Sequence, residues 1–465
     1  MNTRNFLLFF SLLSTQLLFS QENQGLVHDN YNPVNGQYIN PSNLVDSKVW
    51  LDINGLGANS YFRNNAAFFP DANWLNFESL NQDIEVKTTL RNIRLYTDLE
   101  VRGPAISFQL GKNAISVFTG ARGVVNINRI PGELAKYAIN ETLEQEDIGE
   151  YEFRNGRIKT MAWGEVGITF GRILAAKNNN LWTAAVSVTR LNGVQQTNLL
   201  VRSANVVVRE VDEVDLISTD GKFSFAEPAL DAGKGFGLSA GIHYKKMKTT
   251  ANGYIPHWKR TGCEYRDYQY KVGVSLLDIG FVNFTTNSFS GKFDETLDID
   301  NISDIDELSE NLNSSKNGDK VRSWLPSAIS AQVDYNVNDH IYLNTTLVQK
   351  FPFMSNVYGV ERTNLLAVSA RYESRFLGLG IPISLENYTN PQIGLALRVF
   401  NLSVGSDNLL PFFVEHNELL AGYFYFSLKF KLVNNPACKN RNSSKKSRKH
   451  NRNQKRKNSV DCPTF

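Results

Sequence analysis

From about residue 48 to residue 432 apolar side chains recur at every second position, the period of a pleated strand and not of a helix. Phe236, Leu238, Ala240, Ile242 and Tyr244 interleave with Gly237, Ser239, Gly241, His243 and Lys245. Leu366, Val368, Ala370 and Tyr372 interleave with Ala367, Ser369, Arg371 and Glu373, and Ile393, Leu395, Leu397 and Val399 with Gly394, Ala396 and Arg398. The last run sets Phe424, Phe426, Leu428, Phe430 and Leu432 against Tyr423, Tyr425, Ser427, Lys429 and Lys431. One face of each strand suits lipid or a core, and the other suits water.

A soluble sandwich alternates too, so the connections decide. Fourteen strands are predicted, near 48–60, 102–111, 113–127, 158–174, 181–191, 234–247, 269–284, 322–336, 340–351, 363–373, 376–385, 391–399, 401–408 and 420–432. Connections after even-numbered strands are mostly tight, as at Gly111-Lys112-Asn113 and Phe400-Asn401. Those after odd-numbered strands are mostly long, at 61–101, 128–157, 192–233 and 285–321. Short turns on one rim and long loops on the other mark an outer-membrane β-barrel. Closure also removes the unpaired edges that a sheet in hydrocarbon cannot leave. Residues 248–268, which include Cys263, break the pattern with a long connection on the short-turn rim. An even strand number returns both termini to the periplasm.

The ends differ from the barrel. Residues 1–20 read as a secretory signal peptide: Arg4, an apolar stretch from Phe6 to Phe19, then a polar junction at Ser20-Gln21 with no lipoprotein cysteine. Beyond them no apolar run in the 465 residues approaches the length of a transmembrane helix, and a composition 42% hydrophobic excludes wholesale disorder. The net charge of +3 hides a division, because ten bases lie between Lys439 and Lys457 while Asp461 is the only acid after Cys438. The tail, with Lys445, Lys446, Arg448, Lys449, Arg452, Lys455, Arg456 and Lys457, reads as a solvated polyanion contact on an otherwise acidic chain. The expected division is a signal peptide over 1–20, a plug-like segment over 21–47, the barrel over 48–433 and the tail over 434–465. Cys438 and Cys462 bracket the tail and could close it as a disulfide, or remain free thiols.

Tyr31-Asn32-Pro33 and the stretch Asn40-Pro41-Ser42-Asn43-Leu44-Val45-Asp46-Ser47 resemble the opening of a family of uncharacterised bacteroidete outer-membrane barrels known only as a domain of unknown function. Arg102-Gly103-Pro104-Ala105-Ile106-Ser107, Gly273-Val274-Ser275-Leu276-Leu277-Asp278-Ile279-Gly280 and Val404-Gly405-Ser406-Asp407-Asn408 add to the resemblance, which spans roughly residues 30 to 432. More distantly the chain is similar to the fatty-acid-channel superfamily and to the barrel that shuttles cargo in type IX secretion. The resemblance implies the outer membrane as a location and an all-β fold.

Chemistry-bearing motifs are sparse. Gly237-Leu238-Ser239-Ala240-Gly241 has the letters of a nucleophile elbow, but alternation runs straight through it with no helix to follow. The six histidines lack ligand spacing, so neither a catalytic group, a metal nor a cofactor is expected. The acidic stretch around Asp298, Asp300, Asp304 and Asp306 is a candidate cation-binding loop, without the glycine-centred order of a calcium loop. Arg122, Lys245, Asp334, Arg371, Glu373 and Arg398 fall on the polar faces, where they either line a pore or pair inside a plugged barrel. The expected role is a non-enzymatic channel for small solutes. The alternative is a structural or assembly component whose tail docks on a periplasmic protein or peptidoglycan; lipid is an expected partner and nucleic acid is not.

Overall fold

The computed structural model describes residues 23–68, 85–86, 92–131, 149–210, 213–293, 320–410 and 421–438. Fourteen antiparallel staves close on themselves. They are β1 (Leu51–Asn64), β2 (Ile93–Leu110), β3 (Asn113–Ile130), β4 (Gly149–Lys177), β5 (Asn180–Glu210), β6 (Gly233–Met247) and β7 (Tyr268–Phe284). The second half comprises β8 (Val321–Trp324 and Ala328–Asn336), β9 (Ile341–Lys350), β10 (Leu365–Glu373), β11 (Leu377–Glu386), β12 (Asn390–Ile393 and Leu395–Val399), β13 (Leu402–Ser406) and β14 (Ala421–Leu432). β1 pairs with β2 on one side and with β14 on the other, from Leu51↔Leu432 to Leu56↔Leu428, which seals the sheet.

The alternation resolves into two surfaces of opposite character. In β11 Leu377, Leu379, Ile381, Ile383 and Leu385 are exposed, whereas Ser384 and Glu386 are buried. In β8 Ile329, Val333 and Tyr335 face outward while Ser330, Gln332, Asp334 and Asn336 are buried inside. This inverts the rule of soluble proteins and is the pattern of a transmembrane β-barrel.

The connections alternate in length as the sequence predicts, but those read at 61–101 and 128–157 are shortened because β1 runs to Asn64, β2 starts at Ile93, β3 runs to Ile130 and β4 starts at Gly149. Residues 192–233, read as a long loop, are largely strand: β4 and β5 run for 29 and 31 residues, three times the 9–11 or so that cross a bilayer. The distal half of β5 pairs with Glu213–Ala226, which pairs in turn with Ser288–Phe293, so a small sheet stands beyond the barrel.

The hydrophobic core lies inside the staves. Leu44 and Val45 pack among Ile173, Leu181, Met247 and Tyr268, Val27 and Ile39 against Leu277 and Val348, and Leu26 against Tyr61 and Tyr425. Residues 23–48 therefore fill the lumen from the short-turn end. At the other end Val360, from the connection 351–364, packs with Met161, Trp163 and Phe284, so this connection turns inward over the lumen.

Candidate functional site

The plug folds as it does because its sequence is a succession of Asn-Pro turns. Pro33 and Pro41 each open a short helical turn, where a missing N–H costs nothing, and Asn40 Oδ1 accepts a hydrogen bond from Ser42 N at 2.9 Å. Small wall residues let it sit close: a Cβ at Gly241 would lie 2.0 Å from Asn40 Oδ1, and one at Gly380 would lie 2.0 Å from the Gly25 carbonyl oxygen.

The plug's charged groups meet the lumenal charges one by one. Asp29 Oδ2 accepts from Arg398 Nε at 2.6 Å, and Asp46 Oδ2 lies 3.0 Å from Lys245 Nζ. Lys48 Nζ sits 3.1 Å from Asp267 and 3.6 Å from Glu373, above the ring of Tyr342. Asn30 Nδ2 donates to Glu373 at 3.0 Å. Asp334 and Arg371 pair at 3.0 Å within the wall, and Arg371 also holds Glu373. Asp52 and Asn32 both take Lys429. Burial acts to raise the Asp29 carboxyl, but the Arg398 guanidinium beside it prevails and holds it below its ordinary range. At Asp46 burial prevails over Lys245, and the carboxyl is raised.

All six lumenal charges expected from the sequence are thus inside and ion-paired, three of them (Lys245, Glu373 and Arg398) directly to the plug. Arg122 meets a different closure. Its Nη1 lies 2.8 Å from Asp278 Oδ2, which Arg362 of the inturned connection shares at 2.7 Å. Asp278 reaches this position from a bulge, where the β6–β7 register slips between Leu276 and Ile279 and its φ is +51°. The same connection is fastened by Glu361, whose carboxylate takes Lys159 at 3.0 Å and Lys350 at 2.7 Å while its amide donates to Asn126 Oδ1 at 2.7 Å. Burial works against the charge of Glu361, yet the two lysines hold its carboxyl below the usual range.

Between plug and inturned connection remains a chamber of ≈ 50 Å³, lined by charged side chains together with Phe118, Val348 and Leu365. Tyr38 forms its floor, Arg362 and Thr363 its roof, and Asp98, Glu100, Arg102, Arg122, Glu165 and Asp278 its sides.

Below the plug, residues 248–267 act as a strap. Tyr254 OH donates to Asp46 Oδ1 at 2.7 Å, and His257 Nε2 lies 3.0 Å from the Ser47 carbonyl oxygen. The strap is tied by a disulfide between Cys263 and Cys438, whose Cα atoms are 6.0 Å apart. This corrects the pairing of Cys438 with Cys462: the strap and the end of β14 share a rim, which brings Cys263 to Cys438. Cys462, the acids Asp298, Asp300, Asp304 and Asp306, and tail residues 439–465 lie outside the described residues, as does the signal segment 1–20. Among the described residues no group of three His, Cys, Asp or Glu side chains is placed to hold a metal. Ser239 lies in mid-strand in β6, its hydroxyl accepting the Asp278 amide at 3.0 Å, and not on an elbow.

A family model described as "Family of unknown function (DUF5723)" matches residues 41–407. The chain belongs to this family. Among curated proteins no relative matches this DUF5723 chain. Of solved structures, it is similar to the Ralstonia pickettii toluene transporter TbuX, at 7% identity and a TM-score of 0.44 over 86% of this chain and 93% of that one. It is similar also to the Pseudomonas putida toluene transporter TodX, at 8% identity and 0.39 over 89% and 98%. The translocator domain of the autotransporter NalP from Neisseria meningitidis gives 7% and 0.33 over 87% and 99%.

Proposed function

We propose that the protein is a gated passage for small polar solutes across the outer membrane, with its termini on the periplasmic side and its resting state closed at both ends. The observation that carries this is the chamber, a solvent-sized space with a charged lining that lies between two closures belonging to different parts of the chain. Both closures combine apolar packing with ion pairs and hydrogen bonds. The polar contacts exchange for water when they part, so release costs less than that of a wholly apolar seal of the same size. A lumen lined by Ser, Gln, Asp, Glu, Lys and Arg favours polar over apolar cargo.

Proteoliposome uptake tests the reading. Purified barrel should admit a small polar solute faster than empty vesicles, and more so when Lys159→Met frees the inturned connection. Uptake no faster than that of empty vesicles in both would refute it. A second reading, a structural or assembly role, is favoured by the disulfide that fixes Cys438, the last described residue before the basic stretch, to the strap. Crosslinking in cells with and without residues 439–465 tests it: an unchanged set of partners rejects tail docking.

A further inference from the structure

The chamber's side chains are not evenly satisfied. Glu100 is neutralised by Arg102 at 2.7 Å, and Asp278 is shared by Arg122 and Arg362. Asp98 and Glu165, 5% and 8% exposed, have no ion-pair partner among the described residues. Asp98 Oδ1, Arg102 Nε and Nη1, and Arg122 Nε are buried without a hydrogen-bond partner. Buried acceptors and donors left in this condition are costly, and several of opposite kind around one cavity define a complementary ligand.

We propose that the chamber binds a small zwitterion, its ammonium toward Asp98 and Glu165 and its carboxylate toward Arg102 and Arg122. The chemistry excludes simpler ligands. Four carboxylates and three guanidiniums line the space, so a plain anion meets a net negative wall. A divalent cation meets guanidiniums among the acids. A neutral solute leaves the charges on both sides unanswered. Size follows from volume: at about 10–15 Å³ per water, the chamber holds about three to five heavy atoms, the scale of glycine. The proposal deepens the passage reading and rests on it for the route by which a solute enters.

The test refolds the full chain into detergent micelles in the presence of radiolabelled glycine, acetate or methylamine, so that a closed barrel cannot exclude the probe. Gel filtration then measures what each barrel retains. Glycine should be retained at least about tenfold better than either half-molecule, a difference of one tenfold step in affinity. Glu165→Gln, which keeps shape and removes charge, should lower glycine retention and raise that of acetate; Asp98→Asn should do the same. Equal retention of the three probes, or none of glycine by barrels that regain strand circular dichroism, overturns the site. Glycine uptake into proteoliposomes without retention removes the site and spares the passage reading; retention without uptake does the reverse.

Discussion

Replacing Arg398 by methionine should loosen the plug far more than replacing its partner Asp29 by asparagine. In Arg398→Met the Asp29 carboxylate, with no side-chain exposure, keeps only the Tyr31 amide at 2.8 Å as a donor. A buried charge stranded in this way costs about 3–5 kcal/mol. Asparagine at position 29 has a single acceptor oxygen, which can keep the Tyr31 amide, and Arg398 retains the carbonyl oxygens of Ser374 at 2.9 Å and Arg375 at 3.4 Å. That change removes one charge-assisted bond, about 1.5–3 kcal/mol. At 1.4 kcal/mol per tenfold, Arg398→Met shifts the seated-to-unseated ratio of the plug by about two to three and a half powers of ten. The double variant Asp29→Met with Arg398→Met strands neither charge and should recover most of the loss. Hydrogen exchange of peptides from residues 23–48 reads this directly, with barrel strands as internal reference. Protection in Arg398→Met equal to the wild type, or a double variant no better protected than the single, would refute the pairing argument.

Acid should loosen the inturned connection. Glu361 is held below its ordinary 4.5, so its ionic contribution is complete above that value and is lost as pH falls through and below it. Proteolytic cleavage within 351–364 should therefore rise below about pH 4 in the wild type and be fast at neutral pH in Glu361→Ala. Non-reducing peptide mapping should recover Cys263 linked to Cys438, and recovery of a Cys438–Cys462 peptide instead would contradict the strap. Gly380→Val should displace the plug without opening the barrel, because its Cβ would meet the Gly25 carbonyl oxygen at 2.0 Å; strand circular dichroism and plug hydrogen exchange separate the two. Ile383→Arg, on the outer face and 56% exposed, should cost about 2–4 kcal/mol in vesicle refolding titrations if this face lies at mid-bilayer.

The barrel was legible because period two and the parity of loop lengths are local properties, readable without knowing which strands meet. The extensions of β4 and β5 were not, since Val211-Asp212 carries no Gly or Asn turn signal and the residues above Gly193 lose the apolar-outward pattern. The inward set Arg122, Lys245, Asp334, Arg371, Glu373 and Arg398 was readable from phase alone. Their partners Asp29, Asp46 and Lys48 were not, because each pair joins residues roughly 200 to 370 apart in sequence. Parity did hold the missed signal for the disulfide. It places residues 248–268 and the end of the last strand on one rim, and so favours Cys263 as the mate of Cys438.

The central claim is that the barrel is closed at one end by its own N-terminal segment and at the other by the inturned connection, and is a passage when both are released. Uptake of a small polar solute by proteoliposomes carrying either the wild type or a variant that lacks residues 23–47 and carries Lys159→Met tests this directly. The account predicts slow uptake by the wild type and a large increase in the variant, with the strand content of both preserved. Uptake by the variant no faster than in empty vesicles, by a barrel that has folded, would contradict it.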